Sequence, residues 1–200
     1  MLLTIVDYGV GNLRSIAKSV EKANSDNNLN YSVKVSSDIN DVKKSDKIVL
    51  PGQGSFKACK NGIDNIKGLQ EELNECVLTK KKPIYGICAG MQLFATIGHE
   101  EEKTKGLNWI KGKVIKLDIG SSKLKIPHIG WNELKVENVS SVFQDVINED
   151  HAYFIHSYEF IPENKKAVSI TTDYGKNVVA AVSLGNIFGS QFHPEKSQDT

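Results

Sequence analysis

"PIYGICAGMQLF", residues 83–94, decides how this chain folds. It reads as a strand, "PIYGIC", handing over to a helix, "GMQLFATI", with no loop between them. Cys88 sits at the corner, with Gly86 two residues before it and Gly90 two after. Small neighbours relieve crowding in so tight a turn and leave the sulfur uncovered, as in the elbow that presents a nucleophile above a sheet. A thiol at a helix start also meets unpaired N–H groups and the positive end of the helix dipole, both of which favour thiolate.

Outward from that corner the same alternation repeats. "LLTIVDYG" is a short apolar run closed by glycine, and "NLRSIAKSVEKAN" carries Leu13, Ile16, Ala17, Val20 and Ala23 at helical spacing. After the loop "NSDNNLN", "YSVKVSS" and "KIVLPGQG" read as further strands, the second stopped by Pro51. A helical region from Phe56 to Lys80 leads to the opening strand. Strands alternating with helices predict an α/β fold: a mostly parallel central sheet with helices on both faces. Beyond Gly106 come strands without helices: "LNWIKGKVIKL", "KIPHIGWNELKV", "AYFIHSYEF", "AVSITTDY", "VVAAVSLG" and "IFGSQFHP", with a short helical piece at residues 141–148. These are expected to extend the same sheet in antiparallel fashion. No repeat or linker divides the chain, so residues 1–200 are read as one domain.

Charge excludes several functions. Lys and Arg total 25 against 24 Asp and Glu, a formal charge of +1, so no strong field attracts nucleic acid or an anionic membrane. The apolar runs are strand-sized, and the start "MLLTIVDYG" has neither the basic flank nor the length of a signal peptide. Cys59, Cys76 and Cys88 form no disulfide framework and no C-x-x-C pair. A cytoplasmic protein is expected.

In α/β sheets chemistry collects beyond the carboxyl ends of the strands, and three such ends carry suitable groups. One is Cys88. Another is "FHPE", where Glu195, two residues on in extended chain, faces the same way as His193 and can orient its imidazole. Carboxylate, imidazole and thiol together follow the logic of a nucleophilic triad. The third is "LPGQGSF", residues 50–56, a turn whose backbone N–H groups can face an oxyanion. Each segment alone has an ordinary reading, since a cysteine after a strand is more often a packed apolar residue. "DYGVGN" lacks the third glycine and acidic residue of a dinucleotide loop. His151, His156 and His128 lack helical ligand spacing and a cysteine pair, so no metal is expected. Cys59 and Cys76 are expected to pack inertly, and Trp131 suits a core or an exposed contact equally.

Together "GICAGMQ", "PGQGSF" and "QFHPEKSQ" resemble the class I (triad) glutamine amidotransferases over essentially the whole chain. Within them "DYGVGNLRS", "PHIGWN", "YFIHSY" and the lysine after "HPE" look like the glutaminase subunits of imidazole glycerol phosphate synthase, an enzyme of histidine biosynthesis. The resemblance implies a flavodoxin-like sheet and no cofactor. It implies that Cys88 attacks the side-chain amide of L-glutamine, with His193 as base and acid and Glu195 as its orienting group. It places the oxyanion hole at Gly52, Gln53 and Ala89, and the glutamine on Gln92, Glu100, His156, Ser157 and Tyr158. It turns Asn12, Trp131, Tyr153 and Lys196 toward a (β/α)8 cyclase subunit, forming a heterodimer through which ammonia passes to a nucleotide intermediate. Low activity before docking, through an incompletely formed oxyanion hole, would follow. Ala89 and Gln53 replace a larger apolar residue and a valine frequent in the family, and both positions act mainly through backbone. The family usually continues past "HPE" into a closing helix, and here the sequence ends at Thr200. An amidotransferase for another acceptor, such as a nucleotide-activated sugar, and a regulatory subunit without turnover are the competing readings.

Overall fold

The structure is a computed structural model describing residues 1–120 and 123–197. Its first half follows the expected alternation, with a further helix, α2, between the second and third strands that the sequence reading did not place: β1 (Leu2–Val6), α1 (Leu13–Asp26), β2 (Ser32–Ser36), α2 (Ile39–Lys44), β3 (Lys47–Leu50), α3 (Phe56–Asn65), α4 (Leu69–Asn74), β4 (Ile84–Ile87) and α5 (Ala89–Gln92). Strand side chains alternate between faces, and the sequence uses both. Leu3, Ile5, Val49 and Ile87 pack under Ile16, Ala17 and Val20 of α1. Val6, Ile48, Leu50 and Ile84 point the other way, against Val42, Phe56, Ile63, Leu69 and Leu73. Helices therefore cover both faces, which a parallel sheet requires to bury its apolar strands.

Two helical expectations are corrected. The single helical region from Phe56 to Lys80 is broken at Gly68, whose φ of +86° no α-helix passes through, and after α4 the chain widens into a π-helical turn at Glu75–Thr79. The helix after Cys88 lasts four residues rather than running to Ile97. Its continuation is displaced because the carbonyls of Leu93, Phe94 and Ala95 accept backbone bonds from Leu107, Trp109, Ile110 and Asn108 at 2.8–3.0 Å. Those residues, expected as strand, are an irregular segment whose Leu107, Trp109 and Ile110 are buried.

The second half comprises β5 (Ile97–Glu100), β6 (Glu102–Lys105), β7 (Gly112–Lys116), β8 (His128–Glu133), β9 (Lys135–Val136), β10 (His151–His156), β11 (Tyr158–Pro162), β12 (Val168–Asp173), β13 (Asn177–Leu184) and β14 (Ile187–Ser190). The main sheet has the order β2-β1-β3-β4-β14-β13-β12-β9. β14 lies parallel to β4, and β13, β12 and β9 follow antiparallel. The antiparallel strands do not all extend this sheet as expected. The run "AYFIHSYEF" divides at Ser157, so that β10 pairs with β8 in a two-stranded sheet while β11 joins β7, β5 and β6 in another. Residues 141–148 form turns rather than a helix, anchored by buried Phe143. Among the described residues no helix is long and apolar enough to cross a membrane.

Candidate active site

Cys88 stands where β4 becomes α5, with φ +54° and ψ −115°, outside the helix and strand regions. Its N–H donates to the carbonyl of Ser190 at 2.8 Å, and its own carbonyl accepts from Gln92 N–H at 3.1 Å. The corner is tied to β14 on one side and to the short helix on the other. With four residues α5 carries little dipole, so the polar groups around the sulfur matter more than the helix as a whole.

The loop after β3 presses directly on this corner. A Cβ on Gly52 would lie 2.0 Å from Gly90 N and 2.5 Å from the carbonyl carbon of Ala89; a Cβ on Gly90 would lie 2.1 Å from Leu50 O. Two facing glycines let the backbones meet with no side chain between them. Outside the contact, the Tyr8 hydroxyl donates to Pro51 O and the Cys59 thiol to Gln53 O at 3.5 Å. Burial pushes the Cys59 thiol up to about 11, so it packs and pins the loop but does not ionise, in accord with the inert role expected of it.

His193 follows β14, and its backbone N–H donates to Tyr153 O at 3.0 Å. Pro194 opens a one-turn 3-10 helix, Pro194–Lys196, in place of the extended chain expected there. The turn folds Glu195 back onto the ring, with Nδ1 2.8 Å from Oε1. Ser197 Oγ closes the turn onto His193 O at 2.7 Å and accepts from Tyr153 N–H at 3.1 Å. Burial on its own lowers the imidazole's affinity for a proton, but hydrogen bonds to the Cys88 thiol and to Glu195 outweigh it and raise His193 to about 9. With Nδ1 held by the carboxylate, Nε2 is left for the sulfur, and at neutral pH the ring retains a proton to give to a leaving nitrogen.

These groups open on a cleft of about 310 Å³. Gln53, Cys88, Ala89, Gln92, Glu100, His156, Ser157, Tyr158, His193 and Glu195 all line it, as do Asn12 and Lys196. Gly52 lies behind the wall, against Gly90. Asn12 also caps α1, accepting from Ser15 N–H at 3.4 Å. One oxygen of Glu100 accepts from Phe56 N–H at 2.7 Å, tying the base of α3 to the cleft. Trp131 and Tyr153 lie apart, as cross-strand neighbours of β8 and β10. Their rings meet edge-on at 6.0 Å, and Lys196 Nζ lies 5.6 Å from the Tyr153 ring centre.

Sequence reasoning missed a buried polar network. Asn132 Nδ2 lies 3.3 Å from His128 Nε2, His128 Nδ1 lies 3.1 Å from His156 Nε2, and His156 Nδ1 lies 2.9 Å from Tyr158 O. A carbonyl only accepts and an amide nitrogen only donates, so both rings carry their hydrogen on Nδ1. Burial lowers both histidines to about 4 and keeps them neutral. Tyr158 O also accepts from Gln92 Nε2 at 3.0 Å, which in turn reaches Gln191. "PHIGWN" signalled partner contact but not this chain of bonds, which needs β8 and β10 already paired.

The glutamine amidotransferase class-I family profile matches residues 4–200. An imidazole glycerol phosphate synthase subunit HisH from Pelagibacter ubique is 52% identical over 197 residues, covering 98% of this chain and 93% of the relative. One from Brucella melitensis is 43% identical over 201 residues, with 99% and 93% covered. Among solved structures, one described as a glutamine amidotransferase superposes with a TM-score of 0.72 at 16% identity, over 98% of this chain and 92% of that one. The glutaminase domain of Trypanosoma brucei CTPS, with bound acivicin, gives 0.66 at 19%, over 98% and 86%. The fold is therefore shared well beyond recognisable sequence, and the chain belongs to the class-I glutamine amidotransferases.

Proposed function

We propose that this chain is the glutaminase subunit of an imidazole glycerol phosphate synthase and that Cys88, His193 and Glu195 hydrolyse L-glutamine. The observation that carries the reading is the held imidazole: Glu195, its side chain 2% exposed, holds His193 Nδ1 at 2.8 Å and leaves Nε2 for the sulfur, and Cys88, His193 and Glu195 all line one cleft. Cys88 first gives its proton to His193, forming a thiolate–imidazolium pair, and the thiolate then attacks the amide carbon, giving a tetrahedral oxyanion. Backbone N–H groups at Gln53 and Ala89 stabilise that charge, the Gly52–Gly90 contact setting their separation. The imidazolium then protonates the leaving nitrogen, ammonia departs, and a γ-glutamyl thioester remains on Cys88. Water, activated by His193, hydrolyses it to glutamate. Gln92, Glu100 and the 156–158 segment hold the glutamine.

Ammonia released into water is diluted and becomes mostly ammonium, so efficient transfer from glutamine calls for a sealed exit. The outward face of β8 and β10 supports a docked partner: Ile129, Trp131 and Ile155 are 56%, 46% and 40% exposed, and cross-strand pairing sets Ile129 beside Ile155 and Trp131 beside Tyr153. Ile155 of that face and Lys196, whose Nζ lies 5.6 Å from the Tyr153 ring centre, also line the cleft, as does Asn12. We assign it to the (β/α)8 cyclase subunit, which would receive ammonia in the cytoplasm and form imidazole glycerol phosphate and an aminoimidazole carboxamide ribotide. Cys88→Ala in the two-subunit complex should abolish glutamine-dependent synthesis and leave synthesis from ammonium salts intact. Loss of both in a folded complex would overturn the roles, and co-purification with a different synthase would replace the acceptor.

A further inference from the structure

Gln191 is the residue that the site's chemistry has not yet used. It is fully buried, two residues before His193, and its backbone N–H is fixed to Ala180 O at 2.7 Å. Its Nε2 lies 3.5 Å from Cys88 Sγ and its Oε1 2.8 Å from Gln92 Nε2.

Which end of this amide faces the sulfur is settled by the network rather than by the shape of the side chain. Tyr158 O can only accept, so the Gln92 atom 3.0 Å from it is the NH₂ group. The second hydrogen of that NH₂ points at Gln191, which must answer with its oxygen. Gln191 therefore turns its own NH₂ to the sulfur. The flipped amide would set two NH₂ groups against each other and a carbonyl oxygen against sulfur lone pairs.

We infer that Gln191 is a positioning residue for the nucleophile: from behind the cleft wall its side-chain N–H donates to Cys88 Sγ, stabilises the thiolate and fixes its direction of attack. The donor sits in a dry interior, where one hydrogen bond to a charged group counts for more than in water. It is registered by a chain that ends on the Tyr158 carbonyl, which also receives His156 Nδ1. The sulfur is thus supported from two sides, by His193 from the cleft and by Gln191 from the sheet.

The inference rests on the reading of Cys88 as nucleophile, and the test separates the two. In the two-subunit complex, the rate of iodoacetamide alkylation at Cys88, read on its peptide by mass spectrometry, is followed against pH for wild type, Gln191→Met and Gln191→Glu. An unreactive Cys88 in wild type would defeat the nucleophile itself. With wild type reactive, loss of the donor in Gln191→Met is expected to move the alkylation profile up by about one pH unit and to lower kcat for glutamine about 10-fold, with KM changed less than about 2-fold. Gln191→Glu keeps the acceptor for Gln92 and should also slow alkylation at neutral pH. An unshifted profile in either folded variant, or a change confined to KM, overturns the inference. Should neither variant fold, the wild-type Gln191 side-chain amide resonance is expected to move as Cys88 titrates, and a resonance that stays fixed overturns it equally.

Discussion

Gly52→Ala makes the most demanding use of the geometry. The added Cβ would stand 2.0 Å from Gly90 N, 2.5 Å from Ala89 C and 2.9 Å from Ala89 Cβ, whereas ordinary contact begins at 3.4 Å. Relieving the worst of these needs a separation of about 1.4 Å (3.4 − 2.0), and the nearest obstacle is backbone, which cannot swing aside. Overpacking of this kind costs about 1–3 kcal/mol, or roughly 3–10 °C of melting temperature in a chain of this size. The functional cost should be larger, because the displaced atoms belong to the turn beside Cys88 and a misplacement of about 1 Å can cost about 100-fold in rate. Gly54→Ala is the comparison: it meets nothing within 4 Å and suffers only its φ of +94°. Glutamate release by the two-subunit complex should fall about 100-fold or more in Gly52→Ala and less than about 10-fold in Gly54→Ala, with ammonium-dependent synthesis retained in both. A Gly52→Ala complex within a few-fold of wild type would refute the claim that the two backbones meet there in the working enzyme.

Three further outcomes are expected. Glu195→Gln should lower kcat about 10³–10⁴-fold with KM little changed, since an amide can stabilise the wrong tautomer of His193; steady-state kinetics checks it. The contribution of His128 and His156 to stability should be complete above pH 6.5 and be lost toward pH 4: both are held near 4 when folded and titrate near 6.5 when unfolded, so acid favours the unfolded chain. The difference of about 2.5 (6.5 − 4) corresponds to roughly 3 kcal/mol for one histidine, and urea titrations should show a shallower acid slope in His128→Gln. Trp131→Ala should weaken partner binding by about 2 kcal/mol or more, measured by calorimetry, without changing the melting temperature of the free subunit.

The parallel half of the fold could be read locally. "LLTIVDYG" and "KIVLPGQG" alternate apolar faces that the finished sheet buries on both sides. What could not be read locally were choices decided by distant partners. Nothing in "GMQLFATI" shows that residues 107–110 will claim the carbonyls that would have continued its helix, and nothing in "AYFIHSYEF" shows that its halves will pair with different strands. The site followed the same division. Cys88, His193 and Glu195 announce themselves by residue type at strand ends, though the 3-10 turn bringing Glu195 onto His193 differs from the extended chain the sequence suggested. Gln191, His128 and Tyr8 gave no such signal, because an amide, an imidazole or a phenol becomes a support only once its acceptor has been folded into place.

The proposed mechanism turns on a covalent bond between glutamine and Cys88. Rapid acid quench of the two-subunit complex during turnover, followed by intact and peptide mass spectrometry, tests it directly. A mass gain equal to glutamine less ammonia is expected on the peptide carrying Cys88, removed by hydroxylamine and absent from Cys88→Ser. Turnover that continues in Cys88→Ser, or an adduct carried by Cys59 or Cys76 instead, would contradict it.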